Sequence, residues 1–204
     1  MSSHVSATIL PSHPDNFAKL KCPPSTIICK EKTIILGDVT FGHDCVIHPT
    51  AHIIARHGPI VIGSGNLIEE RVEIINNRSQ TLIIGDNNLF EVESYCEASE
   101  VGNNNLLECK SYVGPNIKIS DNCIIGAGCK LRDPSDQQEK SQIEILQSNT
   151  VISGSDLSRK LVAGLPATSQ TSQLDFLRKV LPNYQKLWRP IQNPAPSTPP
   201  LNQR

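Results

Sequence analysis

The chain has 204 residues and a near-balanced net charge of −1, enough for one substantial domain with a core plus tails. No long basic run or basic stripe points to nucleic acid or a membrane surface, and no apolar stretch approaches membrane-spanning length. Seven cysteines, an odd number in no CxxC frame, fit buried free thiols in a reducing compartment better than a disulfide framework, so a cytosolic protein is expected.

The chain opens with MSSHVSATILPSHP, which does not read as a secretory signal. Residues 1–24, interrupted by Pro11, Pro14, Pro23 and Pro24, read as a flexible arm. A six-residue rhythm then begins. Aliphatic or aromatic residues recur at Ile35, Phe41, Ile47 and Ile53, then at Ile62, Ile68 and Ile74. Ile84, Phe90 and Cys96 continue it, and an unbroken run follows at Val101, Leu107, Val113, Ile119, Ile125 and Leu131. Two positions before many of these sits a small or slim side chain: Val39, Cys45, Ala51, Asn66, Val72, Asn88, Ser94 and Asn105.

A period of six fits neither an amphipathic helix nor a hairpin meander. It fits short strands joined by tight corners, the hexapeptide repeat of a parallel β-helix, with Gly, Asn or Asp at corners that need positive φ. Three hexads close a triangular coil. The octads FGHDCVIH (41–48), IGSGNLIE (62–69), IGDNNLFE (84–91), VGNNNLLE (101–108) and ISDNCIIG (119–126) are then one part of the coil, stacked at roughly 4.8 Å. Their uneven spacing puts extra residues near Arg56–Pro59 and Asn77–Gln80 and a dropped residue near Ser99. The solenoid is assigned to residues 25–167, with roughly six coils and a height of about 30 Å. A helix over 168–188 follows, with Leu174, Leu177, Leu181 and Tyr184 at helical spacing, Thr171 or Ser172 as the cap and a break or kink at Pro182. It is expected on one face of the prism or over part of its end. Residues 189–204, RPIQNPAPSTPPLNQR, are Pro-rich and expected to be disordered.

Over about residues 26–188 the chain resembles the dynactin subunit 6 family, through GPIVIGSGNLIEE, LIIGDNNLFEVESYCEA, VGNNNLLECKSYVG and LDFLRKVLPNY. The long N-terminal arm and a polar insertion near Asp133–Ser141 depart from that pattern. The resemblance implies an all-β solenoid, a left-handed parallel β-helix with one C-terminal α-helix. It also implies a non-enzymatic, cofactor-free structural and adaptor subunit of the dynactin pointed-end complex, supporting dynein-driven microtubule transport and cargo attachment. The implied partners are dynactin subunit 5 in a hetero-complex, dynactin subunit 4 and the terminal actin-related protein of the pointed end. The implied location is the cytoplasm and cytoskeleton, with microtubules, centrosome and kinetochore as sites.

Several features invite sharper readings. Glu69, Glu91 and Glu108 should stack at one corner, where like charges raise one another's pKa unless cations intervene. They are candidates for a basic partner, although an acid after the inward aliphatic is ordinary in such repeats. His43 and His48, and His52 and His57, have the H-x4-H spacing used by γ-type carbonic anhydrases on this fold. Zinc needs three or four convergent ligands, and no histidine follows His57. The phrase LVAGLPA (161–167) resembles the final turn of hexapeptide acyltransferases, whose histidine base has no evident counterpart. Those two enzyme classes are the alternative to the adaptor reading, and a homotrimeric scaffold is a third. Cys45, Cys96 and Cys123 read as small apolar fillers, and Asn66, Asn88 and Asn105 as a hydrogen-bonded ladder. Tyr95 and Tyr112 should point outward and stack across neighbouring coils, either as partner anchors or beneath the C-terminal helix. Thr198, in Ser197-Thr198-Pro199, is a candidate proline-directed phosphorylation site and polo-type kinase docking motif.

Overall fold

In a computed structural model of the protein, residues 16–131, 143–162 and 171–189 are described. The chain winds into coils of three short strands. The first coil is β1 (Leu20–Lys21), β2 (Ile27–Ile28) and β3 (Ile34–Leu36), and the second β4 (Val39–Phe41), β5 (Val46–Ile47) and β6 (His52–Ala55). The third is β7 (Ile60–Ile62), β8 (Leu67–Ile68) and β9 (Glu73–Asn76), and the fourth β10 (Leu82–Ile84), β11 (Leu89–Phe90) and β12 (Tyr95–Cys96). The fifth is β13 (Glu100–Val101), β14 (Leu106–Leu107) and β15 (Tyr112–Val113), and the sixth β16 (Ile117–Ile119), β17 (Ile124–Ile125) and β18 (Lys130–Leu131). β19 (Glu144–Leu146), β20 (Thr150–Ser153) and β21 (Ser158–Leu161) end the solenoid, and the helix α1 spans Thr171–Tyr184.

Every third strand pairs, which gives three parallel sheets of seven, eight and six strands, the faces of a prism. We call them the β1, β2 and β3 faces after their first strands. The one antiparallel pair among the named strands is β20 with β21. All sixteen residues of the six-fold rhythm are buried in one continuous core. The slim-residue positions are buried as well, from Val39 and Cys45 through Asn105. The extra residues fall between β6 and β7 and between β9 and β10, where the spacing predicts them. Asn76 braces both bulges, its Nδ2 donating to the carbonyls of Pro59 (2.9 Å) and Gln80 (2.8 Å).

The octad repeat is explained position by position. A Cβ on Gly63 would lie 2.8 Å from the carbonyl carbon of Gly85, and one on Gly85 would lie 2.7 Å from the oxygen of Gly102, so no side chain fits between those coils. The third position supplies an acceptor for the coil before it: Asp86 Oδ1 takes the Ser64 N–H (2.6 Å) and Asp121 Oδ1 the Asn103 N–H (2.6 Å). The fourth has positive φ, at Asp44, Gly65, Asn87, Asn104, Asn122 and Asn149. The fifth is the asparagine ladder: Asn66 Oδ1 accepts from Asn88 N (2.9 Å), Asn88 Oδ1 from Asn105 N (2.8 Å), and Asn105 Oδ1 from Cys123 N (2.7 Å). A buried amide column of this kind satisfies backbone donors the corner would otherwise strand.

The second corner departs from expectation. Its positive-φ residues are Gly128 and, before it, Lys32, Thr50, Arg71, Glu93 and Lys110, none of these five Gly, Asn or Asp. Left-handed backbone costs such residues about 1–2 kcal/mol each. Bonds from the backbone N–H to the previous coil hold four of them there, as from Glu93 N to Glu70 O (3.1 Å), Lys110 N to Val92 O (3.1 Å) and Arg71 N to Thr50 Oγ1 (3.1 Å).

Both boundaries of the solenoid differ in detail from the sequence reading. Within the expected N-terminal arm, Leu20–Lys21 pairs with Val39–Thr40 as the first strand of a sheet, while Asn16 Oδ1 accepts the Ile35 N–H (2.7 Å). Beyond α1, Lys30 N donates to Lys186 O (2.7 Å) and Trp188 N to Ile28 O (2.9 Å), so the chain after the helix runs antiparallel to β2. Leu174, Leu177 and Leu181 face the prism, but Tyr184 is 80% exposed. At 3.6 residues per turn, position 184 lies roughly 50° off the leucine stripe. Residues 1–15, the insertion at 133–141, the segment 163–167 and the tail with Thr198 lie outside the described residues.

Candidate protein-binding surface

The outward residue of each strand gives each face its character. On the β2 face it is aliphatic in every coil: Ile27, Val46, Leu67, Leu89, Leu106 and Ile124. α1 lies on this stripe, with Leu174, Leu177 and Leu181 packed against Val46, Leu67 and Leu89 and Arg178 bound to Asp44 at 2.8 Å. The β1 face shows Val61 and Ile83 side by side in register, then the Glu100–Lys118 ion pair at 2.7 Å.

The β3 face carries the column Ile34, His52, Glu73, Tyr95, Tyr112 and Lys130. Tyr95 and Tyr112 are stacked, with centroids 4.6 Å apart and planes at 5°. The sequence frame therefore placed the pair correctly, and the helix covers a different face. Both rings are half-buried. Tyr95 donates its phenol to Glu97 Oε2 (2.9 Å), Glu97 Oε1 accepts from Asn77 Nδ2 (2.8 Å), and Asn77 Oδ1 accepts from Arg56 Nη1 (3.4 Å). Burial first, then the bond to Glu97, push the Tyr95 phenol well above its usual range, so it remains a donor. This chain spans three coils and locks the ring orientation. Arg56, Asn77 and Glu97 were missed by the sequence reading; Glu97 follows an inward residue just as Glu69 does, which was the available signal.

The glutamate column has structural work. Glu69 Oε2 accepts from Val92 N (3.1 Å), Glu91 Oε2 from Cys109 N (2.9 Å) and Glu108 Oε2 from Ala127 N (2.8 Å), each in the next coil. Beside it Glu93 binds Arg71 at 2.7 Å and Lys110 at 3.6 Å. Burial raises the Glu69 carboxyl, opposed by its bond to Val92 and by His48. Backbone donors thus offset part of the repulsion expected of an acidic column, while the Glu69 carboxyl stays raised.

The four histidines do not converge. His43 sits between β4 and β5, His48 follows β5, His52 is in β6 and His57 follows β6, so one coil distributes them around the prism. His48 Nδ1 is 2.8 Å from Glu70 Oε1 and His43 Nδ1 is 3.2 Å from Ser25 Oγ. Among the described residues, no group of three His, Cys, Asp or Glu side chains is placed to hold a metal, and no helix is long and apolar enough to cross a membrane. Cys45, Cys96 and Cys123 are buried, while Cys109 is exposed because its corner position turns the side chain outward.

Six stacked triangular coils with self-capped corners and an outward aromatic column define a hexapeptide-repeat β-helix protein. The family model described as Bacterial transferase hexapeptide (six repeats) matches residues 98–133. A hexapeptide transferase family protein from Anaplasma phagocytophilum has a similar fold, with a TM-score of 0.56 at 19% identity over 81% of this chain and 88% of that one. Dynactin subunit 6 of Xenopus tropicalis is 41% identical over 89% of this chain and 90% of its own, and that of Nematostella vectensis 43% identical over 83% and 92%. The chain belongs to the dynactin subunit 6 family.

Proposed function

We propose that the protein is a non-enzymatic structural and adaptor subunit of dynactin, presenting rigid prism faces to its neighbours. The observation that carries this reading is the stacked Tyr95–Tyr112 pair, held in a fixed orientation on a face α1 leaves open. Aromatic rings fixed in advance lose little conformational entropy on binding, which suits them as anchors. Glu69, Glu91 and Glu108, half-exposed on the neighbouring corner, add negative charge that favours a partner with basic residues. In the family context the partners are dynactin subunit 5, dynactin subunit 4 and the terminal actin-related protein of the pointed end. The setting is the cytoskeleton, and the role is support of dynein-driven transport and cargo attachment. Thr198 in the tail is the proposed site of phosphorylation and kinase docking.

The test is to purify the chain with dynactin subunit 5 and measure mass by light scattering and zinc by elemental analysis. A one-to-one complex weakened at least tenfold by Tyr95→Ala with Tyr112→Ala is expected. A homotrimer holding one zinc per chain, or a complex indifferent to both substitutions, overturns the proposal.

A further inference from the structure

A charge asymmetry runs along the prism. Residues 16–36 carry four lysines against Glu31, and residues 171–189 carry Arg178, Lys179, Lys186 and Arg189 against Asp175. The fold brings these two segments together: Lys30 bonds Lys186, Trp188 bonds Ile28, and the Phe17 and Trp188 rings lie 6.1 Å apart. Their combined formal charge is +6, whereas residues 37–131, the next coils, hold twelve acids and six bases, or −6. Asp38 pairs with Lys21 and Asp44 with Arg178, and an excess of basic charge remains where the two segments meet.

A cleft of about 430 Å³ opens at that end between α1 and the first coil. Apolar Pro24, Ile27, Pro182 and Leu187 line it together with Ser25, alongside the cations Arg178, Lys179 and Arg189 and the acid Asp175. Arg178 is held by Asp44 and Asp175. Among the described residues, Lys179, Lys186 and Arg189 have no ion-pair partner. Closely spaced like charges left unpaired cost the free protein self-repulsion, which an acidic partner relieves.

We propose that this end of the prism is a docking surface for an acidic protein segment, an extended peptide with an apolar or proline residue seated in the cleft and flanking Asp or Glu on its rim. The lining of the cleft holds no aromatic ring on which a base could stack, which favours a peptide over nucleic acid. This surface is separate from the tyrosine face, so either can fail without the other.

The test uses fluorescence anisotropy of the full chain with a labelled Glu-rich peptide carrying a central Leu-Pro. Parallel titrations use a scrambled-charge Lys-rich peptide, an oligothymidylate and phosphatidylserine vesicles. Saturable, salt-sensitive binding of the Glu-rich peptide is expected, lost at least tenfold in Lys179→Glu with Lys186→Glu and Arg189→Glu. Lys118→Glu on the β1 face should leave it unchanged. Circular dichroism and Trp188 emission report folding of each variant, and the milder set Lys179→Gln, Lys186→Gln and Arg189→Gln should show a smaller loss if the reversed charges disturb the strap. No binding of the Glu-rich peptide, or binding by the triple Glu variant equal to that of the unsubstituted chain, overturns the proposal. So does tighter binding of oligothymidylate or vesicles, which would assign the end to that class instead.

Discussion

The β2 and β3 faces share a backbone and a core yet meet opposite fates. Both project Ile, Leu, Phe, Cys or Val inward at every rung, and both have parallel ladders in strict register. They differ in one outward residue per coil. Where that residue is aliphatic, α1 lies on it; where it is His, Glu, Tyr or Lys, the face stays open. Parallel sheets are ordinarily covered on both sides. On the β3 face the outward column instead carries its own polar handles, as Tyr95 does through Glu97.

That contrast can be broken from the inside. Phe90→Ala empties a fully buried position that supports both faces, so about 3–5 kcal/mol should be lost. Urea unfolding followed by circular dichroism should show one transition, with neither face surviving the other. Leu174→Ala addresses the covered face alone, at a cost of about 2–3 kcal/mol. Trp188, the one tryptophan, should shift its emission to the red as the strap loosens, while the tyrosine face keeps its near-ultraviolet dichroism. A change in that dichroism would mean the faces are not independent.

Tyr112→Ala should cost the fold about 1 kcal/mol through loss of the stacking of this half-buried ring on Tyr95; its larger effect should appear in partner affinity. The corner between these faces should add a modest pH dependence. Burial would raise the Glu70 carboxyl, but the bond to His48, a bond from its own backbone N–H and attraction to His48 and Arg71 together outweigh it, and the net shift is downward. A carboxyl depressed by folding stabilises above its unfolded pKa. That stability is lost as pH falls through the lower folded value. Glu70→Gln should therefore flatten the acid limb of a melting-temperature profile and change little above it. Smallest of all, Glu93→Gln should cost under about 1 kcal/mol, since its partners Arg71 and Lys110 are largely exposed, and added salt should reduce even that.

The rhythm of six was legible because an inward residue has nowhere else to point, and each coil repeats the same steric demand. Gly63 and Gly85, the Asn66–Asn88–Asn105 ladder and the Tyr95–Tyr112 stack all follow from that frame. Residues that act across a corner were harder to see. Glu69 capping Val92, or Arg56 reaching Glu97 through Asn77, depends on side-chain reach, which a period does not encode. The second corner misled for a related reason: bonds from the backbone N–H of Arg71, Glu93 and Lys110 to the previous coil fix them in a conformation their own propensities disfavour.

The sequence by itself determined the solenoid, its register and the identity of its outward columns, since local spacing specifies which side chains a coil must bury. Only the tertiary structure decided which face the helix takes and what gathers at the end. The leucines of α1 would fit any aliphatic stripe, and it is the strap after it, bonded to β2, that selects the face. No basic stripe is visible along the chain, because the lysines of the first coil and the cations of the last segment stand some 150 residues apart. They become one surface only when the chain's end returns to its beginning, and charge, unlike hydrophobic period, sums over whatever the fold brings near.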